Sequence, residues 1–172
     1  LEELREAGVV GGVGAGINER GMMSWFLDMM PVDFFLVALR YTLLEQDVLE
    51  DEFPACEAAG VGVVIGGVFN SGILASGART GAKYNYEDAT PDVMARVARI
   101  EEVCKAHDVA LPAAALQFPL AHPIVASVIP GALSPDHVEA NVRSYRAQIP
   151  VAFWGDLRAE GLLSEKAPVP AA

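Results

Sequence analysis

Two stretches carry the residues best suited to holding a small ligand. The first is residues 67–74, GVFNSGIL. Gly72 permits close backbone approach, and the Ser71 hydroxyl after Asn70 can donate to a phosphate oxygen. Phe69 is the ring beside them. The second is residues 127–141, SVIPGALSPDHVEAN, where a β-branched apolar run stops at Pro130-Gly131 and Ser134-Pro135-Asp136 opens a helical pattern. Ser134 suits the N-cap, Pro135 the first helical position, and Asp136 the positive end of the helix dipole. A buried strand, a short loop and a helix start in succession aim backbone N–H groups outward from the strand's C-terminal end, where a phosphate can be held. An ordinary capped turn between strand and helix has the same pattern, so this stretch alone does not decide.

Composition narrows the partners. The chain has 172 residues, 12 Lys+Arg against 23 Asp+Glu, and a formal net charge of −11. So negative a chain is poorly suited to nucleic acid or to an anionic membrane, and neither is expected as a partner. Hydrophobic residues make up 52% of the chain and the mean hydropathy is +0.31, a bias that buried parallel strands produce. No apolar run reaches the roughly 18 residues of a membrane span. No signal peptide is recognisable, so a cytoplasmic protein is expected. Cys56 and Cys104 lack metal-ligand spacing and read as buried or half-buried free thiols. The chain opens on Leu1, and LEELREAG has the form of the last turns of a helix ended by Gly8. A fragment of a longer protein is therefore expected.

The elements that must position the two stretches follow from periodicity. Strands are expected at residues 9–15, 34–39, 61–66 and 125–129, the last three as apolar runs. Helices are expected at 19–30, 48–59, 91–107, 112–120, 135–146 and 150–163. Met22, Trp25, Phe26 and Met29 form a stripe in the first of these and read as core. Gly60 should end the second, and Thr90 should cap the third. Residues 76–90 form a long, polar, Gly-rich connection, and the KAPVPAA tail reads as flexible. Fourfold alternation of strand and helix argues for βαβ units and a parallel sheet. An eight-stranded βα barrel needs about 250 residues, so this chain supplies about half of one.

Three features, in order, carry a family resemblance. A glycine-rich strand end precedes Asn18-Glu19, LVALRYTLLEQ spans residues 36–46, and GVFNSGIL is followed far downstream by IPGALSPDHVEAN. In this order the chain resembles the C-terminal half of an aldo-keto reductase. RYTLLEQ and FNSGIL point to the branch of D-threo-aldose, L-fucose and pyridoxal dehydrogenases. The resemblance implies an α/β fold, a TIM-type (β/α)8 barrel of which residues 1–164 supply strands five to eight and a C-terminal helix. Residues 165–172 would be a flexible tail. The family's catalytic Asp, Tyr, Lys and His lie in the first half, so no catalytic residue carries over. Tyr41, Lys83, His107 and His122 are of the right types but fall elsewhere, and read as surface, loop or packing residues.

What the resemblance implies is cofactor handling. Asn18 stands beside the position whose amide holds the nicotinamide carboxamide, although the usual Ser-Asn pair is Gly16-Ile17 here and the usual glutamine is Ala38. Phe69 stands for the ring that stacks on the nicotinamide, and Asn70-Ser71-Gly72 opens the loop that follows. Asn141 matches the residue that hydrogen-bonds the adenine. Gly131 and His137 stand where NADP-preferring members carry a basic residue and an arginine, and the 130–141 loop contains no lysine or arginine. NAD is therefore expected rather than NADP, with Ser134 at the phosphate-facing helix start. The implied reaction is hydride transfer between nicotinamide and an aldose or similar aldehyde or hemiacetal. The implied partner is the N-terminal half-barrel, and substrate contacts are expected from residues 76–90, with Tyr84 and Tyr86, and from the region of Trp154. Two other readings stay open: a catalytically inactive fragment with at most nucleotide binding, and a different barrel enzyme sharing only a phosphate-binding end.

Overall fold

The structure, a computed structural model, describes residues 1–170. In chain order its elements are α1 (Glu2–Glu6), β1 (Gly14–Ile17), α2 (Met22–Met29), β2 (Phe34–Ala38), α3 (Glu52–Ala59), β3 (Gly62–Gly66), α4 (Ile73–Ser76), β4 (Lys83–Tyr84), β5 (Glu87–Asp88), α5 (Pro91–Ala106), α6 (Leu111–Gln117), β6 (Val125–Ile129), α7 (Pro135–Arg146) and α8 (Val151–Ala159). The strands β1-β2-β3-β6 form one sheet in that order, every neighbouring pair parallel. The expected parallel sheet is therefore present. A register shift between Val63 and Val64, where β3 meets β6, marks a bulge.

Alternation along the strands separates two faces. Phe35, Val37, Val63 and Ile65 are fully buried under the helices. Their strand neighbours Leu36, Ala38 and Val64 point the other way and stay half-exposed, although they are apolar. The helical layer is fixed by local signals. Thr90 Oγ1 accepts from Val93 N–H at 3.4 Å to start α5, and Gly60 ends α3 at φ 68°. The second half of the helical layer is closed by rings. Tyr41 packs on Phe53 and Phe118 with centroids 4.9 and 5.1 Å apart, and Phe118 leads to Trp154 at 6.4 Å. Cys56 and Cys104 are free and buried, and burial pushes each thiol up to about 11.

Several expectations need correction. The first strand spans Gly14–Ile17, not residues 9–15: Val9 and Val10 donate to Leu4 O in finishing α1, and pairing with β2 starts only at Gly14 opposite Phe34. The 19–30 helix begins at Met22, because Gly21 at φ 83° makes the turn into it. Its stripe is not all core: Trp25 and Met29 are about half exposed, while Met23 is buried against Cys56, 3.8 Å away. Helix 48–59 splits into a 3-10 turn at Asp47–Leu49 and α3, separated by the Asp51 cap, and helix 112–120 stops at Gln117 before Pro119. The final helix ends at Ala159 rather than at residue 163. The segment after it, read as a tail from residue 165, carries contacts where it is described: Ala167 is buried and accepts from Arg158 at 2.5 Å, and Lys166 meets Glu50. Residues 171–172 lie outside the described residues.

Candidate functional site

The C-terminal ends of β2 and β3 open on a cleft of about 510 Å³, bounded by the turn after β3, the β4–β5 hairpin, Pro112 and the start of α7. Phe69, Asn70, Ser71, Gly72, Gly131, His137 and Asn141 all line it, so the structure brings together seven of the nine residues singled out from the sequence. The other two sit apart. Ser134 caps α7, its hydroxyl accepting from His137 N–H at 3.3 Å, and does not face the cleft. Asn18 lies just past β1, beyond β2 from the cleft, and its carbonyl accepts from Arg40 Nε at 2.5 Å.

The backbone at this end of the sheet is unusual. Leu39, Asn70, Ser71, Asn85 and Tyr86 all take positive φ, as do Gly67 and Gly72. Non-glycine residues in this region cost about 1–3 kcal/mol each and persist only where their surroundings hold them. Here the holding bonds are visible. Asn70, fully buried, donates from Nδ2 to Thr42 Oγ1 at 3.2 Å, and the same oxygen accepts the Leu44 and Glu45 N–H groups. Asn70 Oδ1 is buried and has no partner among the described residues. Ser71 Oγ accepts from Tyr86 N–H at 2.9 Å, which fastens the hairpin to the turn and leaves the serine hydroxyl hydrogen free to donate. Gly72, at φ 97°, has open space where a β-carbon would stand. Across the cleft, Asn141 Nδ2 reaches Gly131 O at 3.3 Å, and His137 Nδ1 accepts from Leu133 N–H at 3.2 Å.

These features fit a nucleotide. The volume lies within the range of about 300–1,000 Å³ usual for cofactor sites, and the lining is mainly apolar with a few convergent polar groups. Among the lining residues there is no lysine or arginine. Phosphate oxygens would be met by N–H groups, the Ser71 hydroxyl and the α7 start, without a fixed cation for an extra phosphate.

The acid–base residue types are spread away from this cleft. Tyr41 is fully buried among Phe53, Phe118 and His122, and burial raises its hydroxyl well above the usual tyrosine range. His122 is buried, which lowers its pKa, and its Nδ1 lies 3.5 Å from Ile124 N. Lys83 pairs with Asp88 at 2.7 Å on the hairpin, and His107 Nε2 lies 2.7 Å from Asp156. No two of these four share the cleft.

The aldo/keto reductase family pattern matches residues 1–159. This chain belongs to the aldo/keto reductase family. Aldo/keto reductases bind nicotinamide cofactors. The chain is 44% identical over 165 residues to a pyridoxal 4-dehydrogenase of Microbacterium luteolum, covering 95% of this chain and 48% of that protein. It is 37% identical over 158 residues to a D-threo-aldose 1-dehydrogenase of a Pseudomonas species, covering 91% and 48%. It thus spans about half the length of these relatives. Among solved structures, the holo form of a Bacillus halodurans aldo-keto reductase superposes with TM-score 0.72 at 27% identity, covering 98% of this chain and 55% of that one. A glycerol dehydrogenase of Gluconobacter oxydans, at 17% identity and TM-score 0.65 over 99% and 54%, shares the fold.

The sequence reading missed two parts of this site. Residues 83–88 form a two-stranded antiparallel hairpin that places Tyr86 at the cleft, where a polar connection was expected. Its strands are two residues each and largely charged, so they carry no apolar alternation to read. Arg40, Thr42 and Glu45 tie the strand ends together, yet RYTLLEQ signals only a family likeness until its long-range partners are seen.

Proposed function

We propose that this chain is the C-terminal half of a (β/α)8-barrel oxidoreductase, supplying strands five to eight, with residues 1–164 as the half-barrel. The whole protein, in this reading a cytoplasmic enzyme, moves a hydride between NAD and an aldose or a similar aldehyde or hemiacetal. The observation that carries this reading is the cleft itself: Phe69, Asn70, Ser71, Gly72, Gly131, His137 and Asn141 converge at the C-terminal ends of parallel strands, where such folds bind ligands. The half-exposed apolar face of Leu36, Ala38 and Val64 supports a missing half that would complete the barrel and cover it. The relatives' length, twice that of this chain, supports the same reading.

In this assignment NAD, once bound, supplies the hydride acceptor or donor. The chain's residues bind and orient it. Ser71 and the Gly72 and Gly131 backbones meet the pyrophosphate, Ser134 holds the α7 start that faces it, and Phe69 offers an apolar surface to a ring. Asn141 turns from Gly131 O to the adenine, and Asn18 serves the carboxamide from the end of β1. The proton donor or acceptor comes from the absent half. Tyr41 is buried, Lys83 pairs with Asp88 and the half-buried His107 lies against Asp156, all away from the cleft lining, which supports a donor from the other half.

The preference for NAD rests on charge. An extra 2′-phosphate would meet no lysine or arginine in the cleft lining, and Asp136 lies in the α7 first turn. Charge-assisted bonds of about 1.5–3 kcal/mol each are thereby forgone, at least tenfold in affinity. The experiment is a dehydrogenase assay of the full-length protein with NAD against a panel of aldoses and pyridoxal. Turnover of at least one of them is expected, and absence of turnover on the entire panel would refute the reading. The 172 residues alone should lack the positioned acid–base group worth about 10²–10⁴-fold, and should give no rate above a cofactor-only blank.

A further inference from the structure

Arg40, just past β2, reaches three separate segments. Its Nε donates to the main-chain oxygen of Asn18 at 2.5 Å, at the end of β1. Its Nη1 donates to Asn85 Oδ1 at 3.5 Å, in the turn of the hairpin. The same Nη1 lies 4.0 Å from Glu45 Oε1, and both side chains are mostly buried. Glu45 in turn accepts from the Tyr84 hydroxyl, on the first strand of the hairpin. One residue beyond Asn85, Tyr86 is fastened to Ser71 at the cleft. Among the described residues, no other hydrogen bond joins the end of β1 to the hairpin.

The setting makes this bridge more than a surface contact. It begins beside Leu39, at φ 68°, and ends at Asn85 and Tyr86, at φ 50° and 69°. Left-handed backbone at non-glycine positions needs outside bonds to keep it in place. A guanidinium can serve several acceptors at once because its donors are fixed in a planar fork, which a lysine ammonium on a flexible stem cannot copy. Glu45 is held partly buried, and burial raises its pKa although the Arg40 guanidinium lowers it.

We infer that Arg40 is a positioning residue, which fixes the end of β1 and the hairpin wall of the cleft at one separation, so that a ligand lying between them is aligned for reaction. This consequence rests on the function proposed above; the mechanical tie does not. Loss of the tie should leave the Gly131–Asn141 side of the cleft intact and disturb alignment more than binding.

The test uses the full-length protein with Arg40→Gln, Arg40→Lys and Asn85→Ala. Amide hydrogen exchange without cofactor is read at residues 17–19 and 84–87. Arg40→Gln should raise exchange at both segments by about tenfold while β3 and α5 keep their protection. Asn85→Ala should loosen only 84–87. Under turnover, Arg40→Gln should lower kcat by about ten- to a hundredfold, the scale of a ~1 Å misplacement, with the NAD dissociation constant changed by less than about threefold. Arg40→Lys should not restore kcat. Unchanged exchange at both segments, or a loss of protection throughout the sheet, would overturn the inference. So would a kcat equal to that of an active wild type. If the wild type shows no nicotinamide-dependent turnover, the proposed function fails, and the exchange arm still decides the tie.

Discussion

The aromatic cluster behind the sheet and the cleft at its end use similar residues in opposite ways. In the cluster, Tyr41, Phe53, Phe118, Phe153 and Trp154 bury their rings almost completely. At the cleft, Phe69 is only partly buried, Tyr86 is 73% exposed and Leu133 is 95% exposed. The backbones differ as well. Of the six non-glycine residues with positive φ among the described residues, five lie at the strand ends or in the hairpin, and none belongs to the cluster. The cluster holds the fold, while the cleft carries positive-φ backbone and leaves apolar surface open. The positive-φ backbone at the cleft is held by side-chain bonds, Asn70 to Thr42 and Tyr86 N–H to Ser71.

The largest effect should come from the cluster. Trp154 is 1% exposed and joins Phe118 to Phe153. Trp154→Ala should destabilise the protein by about 3–5 kcal/mol, whereas Tyr86→Ala should stay within about 0.5 kcal/mol. Urea unfolding of both variants reads the difference. Equal losses would erase the contrast between the two regions.

A smaller effect should separate the regions by pH. Burial lowers the pKa of His122, which packs against Tyr41 and Phe53. The unfolded chain then binds the proton more readily, so this contribution is present above about 6.5 and is lost as pH falls through the lowered value. Glu45, at the cleft end, is shifted the other way, raised chiefly by burial. Its contribution is present below 4.5 and is lost as pH rises through the raised value. Glu45→Gln should therefore flatten the high side of the acid-range stability profile, and His122→Asn the low side below 6.5. Chemical unfolding at a series of pH values checks both, and slopes of the same sign would contradict the assignment.

The smallest effect concerns the cluster's one phenol. The Tyr41 hydroxyl is buried and has no partner among the described residues. Tyr41→Phe should leave stability unchanged or raise it by up to about 1 kcal/mol, because it removes a desolvated polar group. A clear loss in a thermal melt would mean that the hydroxyl is satisfied.

The two regions were not equally legible in the sequence. β2 and β3 stand out because strands in a layered parallel sheet become apolar runs, β6 is apolar in sequence although only its Val125 is buried, and Thr90 and Ser134 mark α5 and α7 because capping is local. β1 slipped because its glycines give no alternation, and Val9 and Val10 were spent on closing α1. The cleft residues came through as two short runs since each sits on its own strand end, and parallel pairing of β3 with β6 brings the two ends together. Ser134 read correctly as a cap, but a cap that uses its oxygen on His137 does not face the cleft. The left-handed turn at Leu39 and the reach of Arg40 to Asn18 and Asn85 were not legible, because both depend on contacts distant in sequence.

Dinucleotide binding in the cleft, as proposed, is open to calorimetric titration of the full-length protein. NAD should bind with at least about tenfold higher affinity than NADP. Ser71→Ala, which removes the hydroxyl donor, should weaken NAD by about 0.5–1.5 kcal/mol, and Asn141→Ala by a similar amount. A preference for NADP, or NAD binding untouched by both substitutions, would rule out the proposed cofactor assignment.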